Sequence, residues 1–115
     1  MNKYFSRSEF KCFCCDFDVV DAELLQVLTD LREHFNSPIT INSGARCVQH
    51  NIKVGGTPLT SQHLTGKAAD IVMHNVSEVL VHDYLCNKYP DKYGIGFYTG
   101  RTHIDVRSTR ARWIA

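Results

Sequence analysis

Apolar residues recur at helical spacing between Ala22 and Phe35, with charged residues on the opposite side of the helix. This pattern predicts an amphipathic helix, which Asp18 or Asp21 can cap and which the sequence Asn36-Ser37-Pro38 ends. The apolar positions of this helix are Leu24, Leu25, Val27, Leu28, Leu31 and Phe35.

A second helix is predicted after Ser77, running to about Lys88, where Pro90 stops it. Its expected apolar stripe is Val79, Leu80, Val81, Tyr84 and Leu85.

Two shorter helical segments are also predicted. Ser6 followed by Glu9 forms a capping-box pattern, and Phe5 and Phe10 on either side can pack that turn against the rest of the chain. The stretch from Cys47 to Ile52 predicts a short helix, and Val54–Pro58 reads as a loop because it contains glycines and a proline.

Strand patterns alternate with these helices. Two of the predicted strands are adjacent in sequence and joined by Thr99-Gly100-Arg101, a tight hairpin turn. The order of elements favours an α+β fold, with an antiparallel sheet and helices packed mainly on one side, as a single domain over residues 1–115. The predicted strands are Ile39–Ser43, Ala68–Met73, Tyr93–Tyr98 and Thr102–Val106.

Composition narrows the function classes. The chain of 115 residues is 43% apolar and 22% charged, with a formal net charge of +1. Such a balance disfavours nucleic-acid binding, which needs a basic face, and no stretch is long and apolar enough to span a membrane. The basic residues from Arg101 to Arg112 are interpreted as a solvated strand and tail. We expect a monomer. We also expect the chain to be made in the cytoplasm, because its first ten residues lack the apolar core of a secretory signal.

The five cysteines are Cys12, Cys14, Cys15, Cys47 and Cys86, an odd number that favours reduced thiols over a disulfide framework. Cys12 and Cys15 are three residues apart, so one interpretation is a structural metal site completed by Cys47 or a histidine. The other interpretation is that these cysteines are small buried apolar side chains.

The run from Ser61 to Asp70 carries the strongest chemical signal. His63 and Asp70 are both good zinc ligands, and their separation suits a histidine at the end of a loop and a carboxylate on the following strand. Asp70 lies among alanines and β-branched residues, where a carboxylate is costly unless it is paired or binds a metal. The alternative for Asp70 is a buried salt bridge, with Arg46 as the candidate partner.

His103 and Asp105 form a second candidate pair. Strand alternation places both side chains on one face, where one can bind a metal and the other can act as a catalytic or supporting carboxylate. Arg46, at the end of a predicted strand, can hold a substrate carboxylate or stabilise a developing oxyanion.

These motifs together closely resemble the M15 zinc peptidases, and in particular the small phage and bacterial members related to D-alanyl-D-alanine carboxypeptidases. Hedgehog-type domains share the wider fold. The resemblance covers nearly the whole sequence, and the string around His63 is its most specific part. The motifs are Ser43-Gly-x-Arg46, Asn51, Val54-Gly-Gly56, Ser61-x-His63-x-x-Gly66-x-Ala68-x-Asp70, Gly94-x-Gly96-x-Tyr98 and His103-x-Asp105.

The resemblance implies a zinc ion held by His63, Asp70 and His103, with Arg46 and Ser61 facing the substrate. It further implies hydrolysis of the peptides of bacterial peptidoglycan, by a phage or bacterial lytic enzyme that acts on the wall after release or as part of a virion.

One position departs from the family pattern. Many relatives carry an acidic general base three residues before the third zinc ligand, where this chain has Gly100. Asp105 is therefore the predicted general base, or the roles are exchanged and Asp105 binds the metal while His103 is catalytic. A non-catalytic zinc-containing structural or binding module of a phage particle is the competing hypothesis.

Overall fold

The computed structural model describes residues 1–56 and 61–115, so Thr57 and Pro58 of the predicted Val54–Pro58 loop lie outside the described residues. Ten elements follow one another along the chain. They are a 3₁₀ helix at Arg7–Phe10, α1 (Ala22–Phe35), β1 (Ile39–Ser43), α2 (Val48–Lys53), a 3₁₀ helix at Gln62–Thr65, β2 (Ala68–Met73), α3 (Glu78–Lys88), β3 (Gly94–Tyr98), β4 (Arg101–Asp105) and β5 (Ala111–Ile114).

The first long helix has the predicted bounds. Asp21, rather than Asp18, caps it by accepting hydrogen bonds from the backbone N–H groups of Glu23 and Leu24. Asn36 adopts the left-handed conformation that commonly ends a helix.

In α3 the predicted cap at Ser77 is confirmed, whereas the predicted apolar stripe is only partly correct. Val81 and Leu85 are buried, but Val79 and Leu80 are about half exposed. The reason is that successive residues cannot all face one sheet, so only the positions four apart lie on the core side. Tyr84 instead reaches α1, where its hydroxyl donates to Asp30 at 2.8 Å.

The five strands form one sheet in the order β1-β2-β4-β3-β5. The first four strands pair antiparallel as predicted, and Gly100 closes the hairpin between β3 and β4 with a φ of +85°. The expectation of an antiparallel sheet is corrected at one edge, because β5 pairs parallel to β3. The sequence of β5 lies in the part of the chain interpreted as a solvated tail, because its arginines obscure the short alternation of apolar and polar residues.

The two faces of the sheet differ in chemistry. One face presents Ile71, Ile95 and Ile104 to a core that also contains the buried residues of α1 and α3. The other face carries Asp70, His103 and Asp105, which strand alternation places opposite the core. The fold is therefore the predicted α+β class with its long helices on one side, and the polar face is free to form a site.

The N-terminal segment packs beside the end of β1. Phe5 and Phe10 are buried, and the Ser6–Glu9 capping box is present. The carbonyl of Phe10 accepts a hydrogen bond from the N–H of Ala45 at 2.8 Å. A side chain at Gly44 would meet the backbone of Phe10 at 2.8 Å, so glycine is needed for this close approach.

Among the described residues, the longest helix is α1 with 14 residues, and none of the helices could cross a lipid bilayer.

Candidate metal centre and its cavity

Three predicted ligands meet on the polar face of the sheet. His63 lies in the 3₁₀ helix Gln62–Thr65, Asp70 lies on β2, and His103 lies directly opposite Asp70 on β4. The candidate ligand atoms of the three side chains all lie within 4.8 Å of one another, and all three residues are buried. The structure thus brings together residues that are 7 and 33 positions apart in sequence.

Local hydrogen bonds fix the orientation of His63. The Ser61 hydroxyl caps the 3₁₀ helix by accepting from the N–H of His63. The imidazole Nδ1 lies 2.7 Å from the carbonyl oxygen of Gly44, which can only accept, so Nδ1 carries the hydrogen. The lone pair on Nε2 then faces the Asp70 Oδ2 atom at 3.4 Å, in the direction of the candidate centre.

His103 is held in a comparable way. Its Nε2 atom lies 2.8 Å from Oδ2 of Asp105, and its Nδ1 atom lies 3.0 Å from Oδ1 of Asp70. A proton on Nε2, donated to Asp105, leaves the Nδ1 lone pair for a metal beside Asp70. Both histidines are therefore oriented by a carbonyl or carboxylate acceptor on the nitrogen that faces away from the centre.

Asp105 is itself fully buried and saturated with hydrogen bonds. Arg107 donates from Nε and from Nη2 to its two oxygens, at 2.7 Å each, and the N–H of Gly94 adds a bond at 3.1 Å. Asp105 is not among the side chains that line the cavity beside the centre. These contacts favour a role in orienting His103 over the predicted general base, and over the exchange of roles that would put Asp105 on the metal.

The carboxylates and imidazoles of the site shift one another's pKa. Burial alone would raise the pKa of Asp70, but hydrogen bonds and charge interactions from His103 and His63 outweigh burial and lower it well below its ordinary value. Burial would also lower the pKa of His103, yet the carboxylates of Asp105 and Asp70 raise it. Two neutral imidazoles and a carboxylate are a donor set that zinc prefers, so the residues present fit this metal.

A cavity of about 440 Å³ opens directly onto the three ligands. Arginines dominate its charged lining, and Asp70 is the sole carboxylate among the described residues that line it. The charged and aromatic lining residues besides the three ligands are Arg46, Arg101, Arg107, Tyr98 and Trp113. The cavity is therefore suited to substrates that carry negative charge.

Arg46 joins the cavity wall to the centre. Its Nη2 atom lies 3.3 Å from Oδ2 of Asp70, while Nε donates to Ser43 and Nη1 donates to Asn51. The predicted salt bridge between Asp70 and Arg46 is present, together with the histidine contacts. Of the predicted substrate-facing residues, both Arg46 and Ser61 line the cavity.

Glycines of the sequence motif Gly94-x-Gly96 make room for Asp105 and for two residues that sequence reasoning missed, Arg107 and Trp113. A Cβ atom on Gly94 would lie 2.3 Å from Asp105 and 2.7 Å from Arg107, and one on Gly96 would lie 2.4 Å from Trp113. Trp113 packs against the ring of His103 with centroids 4.9 Å apart. Small residues at alternate positions of a strand are the signal by which a bulky neighbour across that strand could have been expected.

The departure at Gly100 also has a structural explanation. Gly100 occupies the hairpin turn with φ at +85°, a conformation that an acidic residue rarely adopts. Its N–H donates to Glu78 at 3.3 Å, on the side of α3. The β3–β4 connection therefore provides no carboxylate to the cavity.

Two buried histidines and one aspartate, oriented by outer acceptors beside an open cavity, form a candidate metal centre of the open kind, in contrast to the closed coordination of structural zinc sites. Comparison with known families agrees: the model of the Peptidase M15 family matches residues 3–105, and the chain belongs to this family. The match includes all three candidate ligands and Arg46, and ends before Arg107 and β5. No curated protein matches the chain.

Proposed function

We propose that the protein is a zinc-dependent peptidase that hydrolyses peptide bonds of bacterial peptidoglycan. The observation that carries the proposal is the convergence of His63 Nε2, Asp70 and His103 Nδ1 at the floor of an open cavity. Membership of the Peptidase M15 family supports the peptidase reaction. Peptidoglycan is proposed from the motif resemblance to wall-peptide carboxypeptidases and from the charge of the cavity.

Bound zinc would lower the pKa of a water molecule and polarise the scissile carbonyl group. The chain's own residues prepare the site for this chemistry. The Gly44 carbonyl and the Asp105 carboxylate hold the two imidazoles in the tautomers that point lone pairs at the centre. Because these orientations exist before substrate binds, little reorganisation is needed.

Arg46 is proposed to bind the developing oxyanion or a carboxylate of the substrate. Its guanidinium is held by Ser43 and Asn51, so it is fixed beside Asp70 without needing the substrate to order it. Arg101, which also lines the cavity, adds a second positive charge that favours a peptide ending in a free carboxylate. Ser61 has its hydroxyl engaged with the N–H of His63, so we propose that it supports substrate binding through the shape of the cavity wall.

Two roles for Asp105 can be separated by experiment. If Asp105 is the general base, the Asp105→Asn variant should retain zinc but be inactive, and the acidic limb of its pH–rate profile should be absent. If Asp105 instead orients His103, the Asp105→Asn substitution should weaken zinc binding. Activity should then be recovered at high zinc concentration, and the acidic limb should remain. The contacts of Asp105 favour the second result, and metal titration beside kinetics measures both.

A direct test of function is incubation with purified peptidoglycan and with a peptide ending in D-Ala-D-Ala. We expect zinc-dependent release of products that chelation abolishes and that the His63→Ala variant lacks. His74→Ala, an exposed histidine in the turn after β2, is the matched control and should retain activity. Absence of product from every wall peptide with zinc bound would contradict the proposal.

That negative result would favour the second candidate, a zinc-containing structural or binding module of a phage particle. One observation supports it: apart from Asp70, no described residue that lines the cavity carries a carboxylate to act as base. In the enzymatic case we place the site of action at the cell wall, after release or as part of a virion.

A further inference from the structure

Four of the five cysteines form a compact cluster that includes Cys47, the residue directly after Arg46. The Sγ atoms of Cys12, Cys14, Cys15 and Cys47 all lie within 4.8 Å of one another. We call these four residues the cysteine cluster. Cys86, on α3, is not a member of it.

The exposure of the cluster argues against a role as small core residues. Cys12 is buried and Cys47 is half-buried, but Cys14 and Cys15 are exposed. A cysteine that merely fills the core has no reason to be exposed next to three other thiols. The interpretation of these residues as buried apolar side chains is therefore wrong for Cys14 and Cys15.

Two of the three sulfur–sulfur distances are those of a tetrahedral metal site, and the third is shorter. Four sulfur ligands around zinc, with bonds of about 2.3 Å, stand about 3.8 Å apart. The Sγ atom of Cys12 lies 3.6 Å from that of Cys14 and 3.8 Å from that of Cys47, and Cys14 lies 3.1 Å from Cys47. A single disulfide would use only two of these thiols, whereas one metal ion would be bound by all four.

Backbone N–H groups point at two of the sulfur atoms. The N–H of Cys47 donates to Sγ of Cys12 at 3.5 Å, and the N–H of His50 donates to Sγ of Cys47 at 3.4 Å. Such bonds stabilise thiolates, which are the form that binds a metal. The turn that contains Cys14 and Cys15 is closed by a hydrogen bond of 2.7 Å from the N–H of Cys12 to the carbonyl of Phe17.

We propose that the cysteine cluster binds a second zinc ion, with a structural role. Thiolates select zinc among the abundant divalent metals, and four of them leave no open position for substrate. The chain would then hold two zinc ions of different character, one in the cavity and one at the surface.

The position of the cluster indicates what this zinc stabilises. It links residues 12–15 to Cys47, which directly follows Arg46. The same two segments already meet at Phe10 and Ala45, and the N–H of Arg46 bonds to the carbonyl of His63 at 3.0 Å. A metal cross-link here would hold the loop that presents Arg46 and the Gly44 carbonyl to the candidate active site.

The test measures zinc by elemental analysis in chains purified under reducing conditions. In the His63→Ala variant, which lacks a ligand of the cavity site, we expect one zinc per chain to remain. Adding Cys14→Ser should remove that zinc, whereas adding Cys86→Ser, the matched control, should leave it. Zinc absent from His63→Ala, unchanged by Cys14→Ser, or replaced there by iron would overturn the proposal.

A spectroscopic measurement on the unmodified chain covers the case in which Cys14→Ser prevents folding. Cobalt bound by four thiolates gives an intense sulfur-to-metal charge-transfer absorption, which a His₂Asp site cannot give because it has no sulfur. We expect this absorption in the cobalt-loaded chain and its loss on adding zinc. No such absorption, or a Cys14–Cys47 disulfide in the non-reduced protein by mass spectrometry, would overturn the proposal.

Discussion

The histidine–aspartate cluster (His63, Asp70 and His103) contacts Arg46, and the cysteine cluster includes the next residue, Cys47, but the two clusters are built differently. The first is buried, and each ligand is oriented by neighbours that belong to the sheet or to the end of β1. The second combines buried Cys12 and half-buried Cys47 with two exposed cysteines, and its thiols contact mainly one another. The first also opens onto a cavity of about 440 Å³. In the first cluster, hydrogen bonds from outside the ligand set orient each ligand, as a reactive site requires, whereas in the second a metal would replace the contacts among the thiols and cross-link two segments.

The strongest test of this contrast is the loss of one cavity ligand. His63→Ala should reduce peptide hydrolysis by more than about 100-fold, because even partners outside the ligand shell contribute factors of 10–100. The far-ultraviolet circular dichroism spectrum and the metal content of the cysteine cluster should be unchanged. Hydrolysis that persists in the zinc-free variant would show that the cavity metal has no catalytic role.

The next effect concerns the outer contacts of His103. Arg107→Ala removes two hydrogen bonds of 2.7 Å from Asp105, so we expect zinc affinity of the cavity site to fall by about 10- to 100-fold. Arg107→Lys keeps the charge but not the paired geometry, and it should be intermediate. Competition with a fluorescent chelator measures the affinity. Equal affinity in all three chains would mean that Asp105 needs no support from Arg107.

Gly44 lies between the histidine–aspartate cluster and the N-terminal segment, since its carbonyl accepts from His63 and a side chain on its Cα would meet the backbone of Phe10. In Gly44→Ala the new methyl group would meet the backbone of Phe10, which should lower the free energy of unfolding by about 1–3 kcal/mol. Urea denaturation measures this change. Thr40→Ala, at an exposed position of the preceding strand β1, is the control and should change stability by less than about 0.5 kcal/mol. A similar loss of stability in both variants would contradict a specific requirement for glycine beside Phe10.

A pH dependence follows from Asp105 in the metal-free protein. Burial would raise its pKa, but hydrogen bonds from His103 and Arg107 lower the pKa well below its ordinary value of about 4. The folded state therefore binds fewer protons there, so Asp105 contributes stability above about pH 4 that is lost as the pH falls. With chelator present, Asp105→Asn should show a smaller loss of stability between about pH 5 and pH 3 than the unmodified chain. Equal losses would assign the acid dependence to other carboxylates, Asp70 first.

The smallest effect is expected for an ion pair far from both clusters. Lys88 and Asp30 lie 2.8 Å apart, but their side chains are 40% and 37% exposed. Because solvent screens such pairs, Lys88→Ala should change stability by less than about 1 kcal/mol and leave both metals bound. Differential scanning calorimetry with metal analysis checks this. A larger loss would mean that the contact between α1 and α3 depends on charge.

Much of the fold and part of the site could be predicted from the sequence alone. Helical periodicity fixed α1 because its apolar side faces a continuous core, and the string around His63 and Asp70 was specific enough to name two ligands. Periodicity was less reliable in α3, where Val79 and Leu80 are apolar but exposed. β5 was not predicted as a strand, since its pairing with β3 depends on hydrogen bonds to a distant segment.

The roles of Asp105 and of the cysteines could be inferred from their contacts in the tertiary structure but not from the sequence. Whether Asp105 acts as base or orients His103 depends on Arg107 and Gly94, and spacing along the chain gives no information about contacts across strands. The four cysteines likewise become one cluster only because the turn after Phe10 folds against the end of β1. Local patterns specify elements and donor types, whereas chemistry depends on distances of a few ångströms between segments that the fold brings together.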